Sequence, residues 1–135
     1  MRAYLAIKYH QDQRNRDQIE KITDLLASHN VETVCIARDV EKWGDVKFTP
    51  QALMEISFAK IDTCDFVLIE LSEKGVGLGI EAGYAYAQQI PIITLVRQGS
   101  AISMTLRGIS SATYTYPSYE ALDLWLAACP LITKP

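Results

Sequence analysis

FVLIELSEKGVGLGIEAGYAYAQQIPIITLV, residues 66–96, is the stretch that decides the architecture. An apolar run of strand length, Phe66 to Leu71, leads into a glycine-rich segment, then a helix from Ile80 to Gln88 and a second apolar strand from Ile90 to Val96. Pro91 is tolerable at the beginning of that strand. Apolar runs alternating with helices build a parallel sheet covered on both faces. Within this unit GVGLGIEAGYAYA, Gly75 to Ala87, places one carboxylate, Glu81, in the first turn of the helix. A glycine-rich entry lets a ligand approach the backbone closely, and the unpaired N–H groups of a helix start favour negative charge. The anion is either a bound phosphate or Glu81 itself.

The same alternation extends outward in both directions. Ala3 to Ile7 reads as strand one and Arg16 to His29 as a helix with Ile19, Ile22, Leu25 and Leu26 on one face, stopped at Asn30. Val31 to Ala37 reads as strand two. Thr49 and Pro50 form an N-cap and first-turn pair for a second helix ending near Thr63. Beyond the central unit come a polar segment, Arg97 to Ser100, a helical turn around Ser103 to Leu106, strand five from Ala112 to Tyr116, a last helix from Ser118 to Ala128 and a loose tail from Pro130. The expectation is one α/β domain spanning residues 1–135, with a five-stranded parallel sheet in the flavodoxin-like order 2-1-3-4-5 and helices on both faces. In that order the winding reverses between strands one and three, so a ligand crevice opens at their carboxyl ends, reached by the loops Lys8 to Asn15 and Ser72 to Gly79.

Composition narrows the class of partner. With 135 residues, 49% hydrophobic and 21% charged, the chain can bury a sizeable core. A formal charge of −3 argues against a nucleic-acid backbone as the main partner and favours small molecules. Cys35, Cys64 and Cys129 lack the spacing of a zinc site or a disulfide scaffold, so free thiols in a reducing cytoplasm are expected. No signal-peptide pattern opens the chain, and no apolar run approaches the ~20 residues of a membrane helix.

Alone, a GxGxxE string supports only a binding crevice, since it lacks both the dinucleotide and the P-loop spacing. In the plainer reading, Gly77, Gly79 and Gly83 permit a tight turn and close helix–sheet packing while Glu81 complements the helix dipole. The whole string goes further. VGLGIEAGYA, Val76 to Ala85, resembles the signature of the nucleoside 2-deoxyribosyltransferase family, and AYLAIKYHQDQRN, Ala3 to Asn15, is similar to that family's first strand and loop. SMTLRG, Ser103 to Gly108, resembles the related 2′-deoxynucleoside 5′-monophosphate N-glycosidases, and the likeness spans roughly residues 3 to 115. The resemblance implies Glu81 as nucleophile, Tyr4 as its orienting tyrosine, no metal or organic cofactor, and a homo-oligomer in which Ser103 reaches the neighbouring subunit's site and contacts a 5′-phosphate.

That chemistry suits the residues. Breaking a C1′–N bond develops oxocarbenium character on the sugar, which a carboxylate beneath C1′ stabilises and then captures as a glycosyl ester. Both a helix N-terminus and a tyrosine donor would favour the ionised carboxylate. Two positions depart from the family. An aspartate that the relatives carry on the helix before strand three falls on Ser57, with Glu55 and Asp62 nearby but out of register. Gly75 stands where transferases have a second aspartate and nucleotide hydrolases a phosphate-binding serine. Lys8 and His10 occupy the hydrolases' serine and arginine positions, either as a basic pair for a phosphate or as ordinary loop residues. Tyr9 either covers a base or packs at the strand edge, and Arg107 either holds phosphate or a partner subunit or caps a helical turn. Trp43 is either a lid or a pin for its polar loop, and Trp125 belongs to the core. The leading expectation is an enzyme cleaving an N-glycosidic bond by hydrolysis or transfer, with Gly75, Gly77 and Gly79 framing the substrate. The alternative is a nucleotide-binding module with a degenerate site.

Overall fold

Side chains alternate across a strand, and this chain uses both sides of its central strand for burial. The computed structural model describes residues 1–133. Strand β1 (Arg2–Ile7) turns Ala3 and Leu5 toward one apolar cluster, and Tyr4 and Ala6 toward a second. It is flanked by β2 (Glu32–Val34) and β3 (Phe66–Glu70), with β4 (Ile92–Arg97) and β5 (Ala112–Tyr116) beyond. All neighbours are parallel, in the order β2-β1-β3-β4-β5. The order expected from the alternation is therefore the order observed.

Helices α1 (Arg16–Ser28), α2 (Pro50–Asp62), α3 (Val76–Ala87), α4 (Met104–Ile109), α5 (Tyr119–Ala128) and the short α6 (Pro130–Thr133) divide between the two faces. Ile19, Ile22 and Leu26 of α1 join Leu122 and Leu126 of α5 over Leu5, Leu68 and Leu95. On the opposite face Ile61 of α2, Leu78, Ala82 and Ala85 of α3 and Leu106 of α4 cover Tyr4, Val67 and Ile69. Leu68 and Ile69 are fully buried, so truncating either to alanine would cost ~2–5 kcal/mol.

Local signals behave as their chemistry requires at several ends. Thr49 accepts the Ala52 N–H at 3.2 Å with Pro50 as the first helical residue, and Asn30 takes a left-handed φ of 61° after α1. Three expectations are corrected. Strand two is only Glu32–Val34, because Arg38 donates to the Thr33 carbonyl and Asp39 accepts the Cys35 N–H, winding the chain into a π-helical turn at Ile36–Val40. Helix α3 starts at Val76 rather than Ile80, drawing the glycines into the helix. Pro130–Thr133 forms a helical turn tied down by buried Ile132, and the rest of the tail, 134–135, lies outside the described residues. The three cysteines are buried and unpaired, and among the described residues no helix is long and apolar enough to cross a membrane.

Candidate active site

Three elements bring the central group together. Tyr4 comes from β1, Ser57 from the buried face of α2 and Glu81 from α3. On α3, Leu78, Ala82 and Ala85 recur at helical spacing and seat the helix on the sheet, which carries the intervening Glu81 down its α2-facing flank. That flank is identified by Tyr84, whose hydroxyl donates to Asp62 of α2 at 2.8 Å and whose ring stacks on Phe58. The Tyr4 hydroxyl lies near both the Glu81 carboxylate and the Ser57 hydroxyl, close enough to bear on the ionisation of Glu81. Ser57 is itself buried and donates to the Leu53 carbonyl at 2.8 Å.

The electrostatics correct the sequence-based expectation. Glu81 falls five residues after Val76, beyond the first turn, so its backbone N–H is spent inside the helix and even the last free amide of the helix start, at Leu78, lies about 4.5 Å back along the axis. Burial pushes its carboxyl up to about 7, and the Tyr4 hydrogen bond offsets part of that rise. The side chain nevertheless keeps some contact with solvent, being half-buried rather than sealed in the core. Tyr4 is also pushed upward, by burial first and then by the Glu81 charge, so it remains a protonated donor.

The glycines act differently from the sequence reading too. None of Gly77, Gly79 and Gly83 has a positive φ, and a Cβ added to any of them would meet no atom within 4 Å. They are not needed for a tight turn or for helix–sheet packing. Gly77 lies one helical turn ahead of Glu81 on the same flank, leaving bare backbone beside the carboxylate.

The remaining expected site residues fall into separate groups. Lys8 follows Tyr4 and Ala6 on the same parity, and its stem passes over Gly75, whose added Cβ would lie 3.8 Å from Lys8 Cδ. Among the described residues no carboxylate lies within 4.0 Å of the Lys8 ammonium. His10 is engaged on both ring nitrogens, with Nε2 at 2.5 Å from Glu73 and Nδ1 at 2.8 Å from Arg14 Nη2. Because a guanidinium only donates, Nδ1 accepts and Nε2–H donates to Glu73, so His10 clasps the two crevice loops together. Tyr9 turns to the α1 side, where its hydroxyl donates to the Trp43 carbonyl at 3.2 Å and its ring tilts against the indole. Arg16 covers the other reach of Trp43 at 4.4 Å, so the indole pins its loop to that face. Ser103 caps α4 by accepting the Leu106 N–H at 3.2 Å, and Arg107 is exposed in that helix's last turn. Helix α4 packs against α3 and β4, away from the α2-facing flank that holds Glu81. Glu73 and Glu70 escaped the sequence reading, although a glutamate inside the apolar run of residues 66–71 was a visible signal. Among the described residues no group of three His, Cys, Asp or Glu side chains gathers to hold a metal.

Comparison with known proteins agrees with this fold. The family model for nucleoside 2-deoxyribosyltransferase matches residues 3–115. No curated protein matches the chain by sequence. Among solved structures, the CMP N-glycosidase of Clostridium botulinum superposes with a TM-score of 0.68 at 19% identity, covering 96% of this chain and 100% of that one. A 2-deoxyribosyltransferase from Bacillus psychrosaccharolyticus gives 0.70 at 13% identity, over 91% of this chain and 90% of that one. A conserved protein from Enterococcus faecalis gives 0.72 at 12% identity, over 92% and 95%. A family match over most of the chain, joined to the shared fold, shows that this chain belongs to the nucleoside 2-deoxyribosyltransferase family.

Proposed function

We propose that the chain, acting as one catalytic domain, cleaves the N-glycosidic bond of a nucleoside or nucleoside 5′-monophosphate through a glycosyl ester on Glu81. The observation that carries this reading is the pairing of the Tyr4 hydroxyl with the Glu81 carboxylate between β1 and α3. A Glu81 oxygen attacks C1′ as the C1′–N bond breaks, and the base leaves with the bonding pair and takes a proton from water. Tyr4 donates to the carboxylate and holds it in place. Attack on C1′ of the ester by water, which loses a proton to solvent, frees the sugar and regenerates Glu81. Attack by the nitrogen of another base completes transfer, and either route retains configuration.

The carboxylate is the reactive species, so its raised pKa is matched to work near neutral pH. The unpaired Lys8 ammonium beside Gly75 supports a 5′-phosphate at the far end of the sugar, a preference in keeping with the nucleotide substrate named for the Clostridium botulinum neighbour. Neither 2′-deoxyribose nor ribose is favoured by any contact of these residues. The exposed Val76 and Ile80 of α3 and Met104 of α4, at 82%, 47% and 86% exposure, support association of two copies through this apolar face. Ser103 and Arg107 on α4 would then serve a neighbouring crevice. Three free buried thiols support a reducing, cytoplasmic setting.

The test is release of free base, followed by chromatography, from a panel of deoxynucleosides, ribonucleosides and their 5′-monophosphates. Turnover that Glu81→Gln abolishes is the expected result. Tight binding of a nucleotide with no base released would support the binding-module reading, which the loss of a carboxylate at Ser57 favours.

A further inference from the structure

Glu70, the last residue of β3, is only 1% exposed. A carboxylate at such depth is costly unless its oxygens are satisfied, and here the donors converge from three parts of the chain. One oxygen accepts the Ser72 N–H at 2.6 Å. The other accepts Gln18 Nε2 of α1 at 2.9 Å and the Tyr116 hydroxyl of β5. No cation pairs with it directly: among the described residues no Lys, Arg or His nitrogen lies within 4.0 Å, and Arg97 reaches only as far as the Tyr116 hydroxyl. Burial and then the Glu70 charge push the Tyr116 hydroxyl upward, so Tyr116 stays a donor.

Strand parity places Glu70 with Phe66 and Leu68 on the α1 side, whereas Val67 and Ile69 face the layer that holds Glu81. Glu70 therefore lies on the opposite face of the sheet from Glu81, at a small cavity that it lines with Lys8, Gln18, Ser72 and Arg97. What it touches is the start of the loop into α3. Ser72 is held at three points, by Glu70 at its N–H, by the Arg97 N–H on its hydroxyl at 2.9 Å and by the Ser100 hydroxyl on its carbonyl at 3.5 Å. After Ser72 the loop is exposed from Glu73 through Val76, with the His10–Glu73 clasp as its other tie, and Gly75 gives α3 no side-chain cap. Helix α3 itself is seated independently by Leu78, Ala82 and Ala85.

We infer that Glu70 is a positioning residue: by gripping Ser72 it sets the path of the Glu73–Gly75 loop opposite Lys8, and so places the non-reacting end of the substrate. The substrate in this statement rests on the glycosidase reading, while the grip on the loop rests on geometry alone. Since Glu81 and Tyr4 stay on core-packed elements, loosening the loop weakens substrate binding and leaves the chemical step in place. Glu70→Gln keeps the size but turns one acceptor oxygen into a donor facing existing donors. Tyr116→Phe removes a single donor and leaves the carboxylate.

Two readouts decide the matter. Amide hydrogen exchange over residues 72–77 should quicken about tenfold or more in Glu70→Gln, with α1 and β5 keeping their protection. In steady-state kinetics with a nucleoside 5′-monophosphate, KM should rise roughly fivefold or more while kcat stays within about twofold, and Tyr116→Phe should move both readouts less and in the same direction. Unchanged exchange and KM in a cooperatively folded Glu70→Gln, or a loss carried wholly by kcat, would overturn the inference. Should Glu70→Gln fail to fold, Tyr116→Phe provides the same comparison. A wild-type protein that releases no base defeats the catalytic reading, and loop exchange still decides the role of Glu70.

Discussion

At the scale of single residues, Glu81 is governed by burial, and the sign of that effect has two consequences. Burial raises its pKa to about 7 while the reaction uses the ionised form, so kcat/KM should climb with pH through about 7 and fall about tenfold per unit below it. Tyr4→Phe removes the group that lowers the Glu81 pKa, so the rising limb should move to higher pH and the rate at neutral pH should drop; a limb that stays put would separate Tyr4 from Glu81. The second consequence is for stability. A carboxyl whose folded pKa lies above its unfolded value of 4.5 favours the folded state below 4.5, and this contribution is lost as pH rises toward 7. Glu81→Gln should therefore stabilise the protein at pH 8 by an amount of order 1–3 kcal/mol, with the gain shrinking toward nothing at pH 4, as thermal unfolding at both pH values would show. Glu81 and Tyr4 were singled out in the sequence, and the structure brings them near one another. The direction of the Glu81 shift was not, because it depends on what α2, α3 and β1 enclose together rather than on the helix start near it in the chain.

Among the elements, α3 shows how far local signals reach. The glycine-rich string marked a helix entry correctly in kind but four residues late, since Gly77 and Gly79 adopt ordinary helical geometry and were read as loop. A glycine inside a helix costs ~1 kcal/mol relative to alanine, and here no internal packing demands it. Gly77→Ala should accordingly raise stability by ~0.5–1 kcal/mol in a denaturant titration, while lowering base release by crowding the space beside Glu81. Equal activity in the two proteins would show that nothing approaches that backbone. Strand two was overestimated for a related reason: its apolar run continues through Ala37, yet the Arg38 and Asp39 side chains capture the backbone and end the ladder. Apolar periodicity cannot register such competition.

For the whole molecule, the alternation of strands and helices was sufficient to read a parallel sheet covered on both faces, and the flavodoxin-like order taken for it is the order observed. The surface was less legible. Val76, Ile80 and Met104 are apolar and stand exposed on adjoining helices, which periodicity alone did not mark. If two copies meet there, light scattering should give a dimer mass at micromolar concentration, and Met104→Glu should move it toward the monomer and lower activity with it. A monomer at those concentrations, fully active, would remove the shared-site reading. The most direct measurement is peptide mass spectrometry after rapid quenching of the enzyme with its substrate. With Glu81 as nucleophile, the tryptic peptide Gly75–Arg97 gains the mass of one glycosyl group, and Glu81→Gln neither gains it nor releases base. Base released at the wild-type rate by Glu81→Gln, with no glycosyl group on that peptide in either protein, would contradict the covalent role of Glu81.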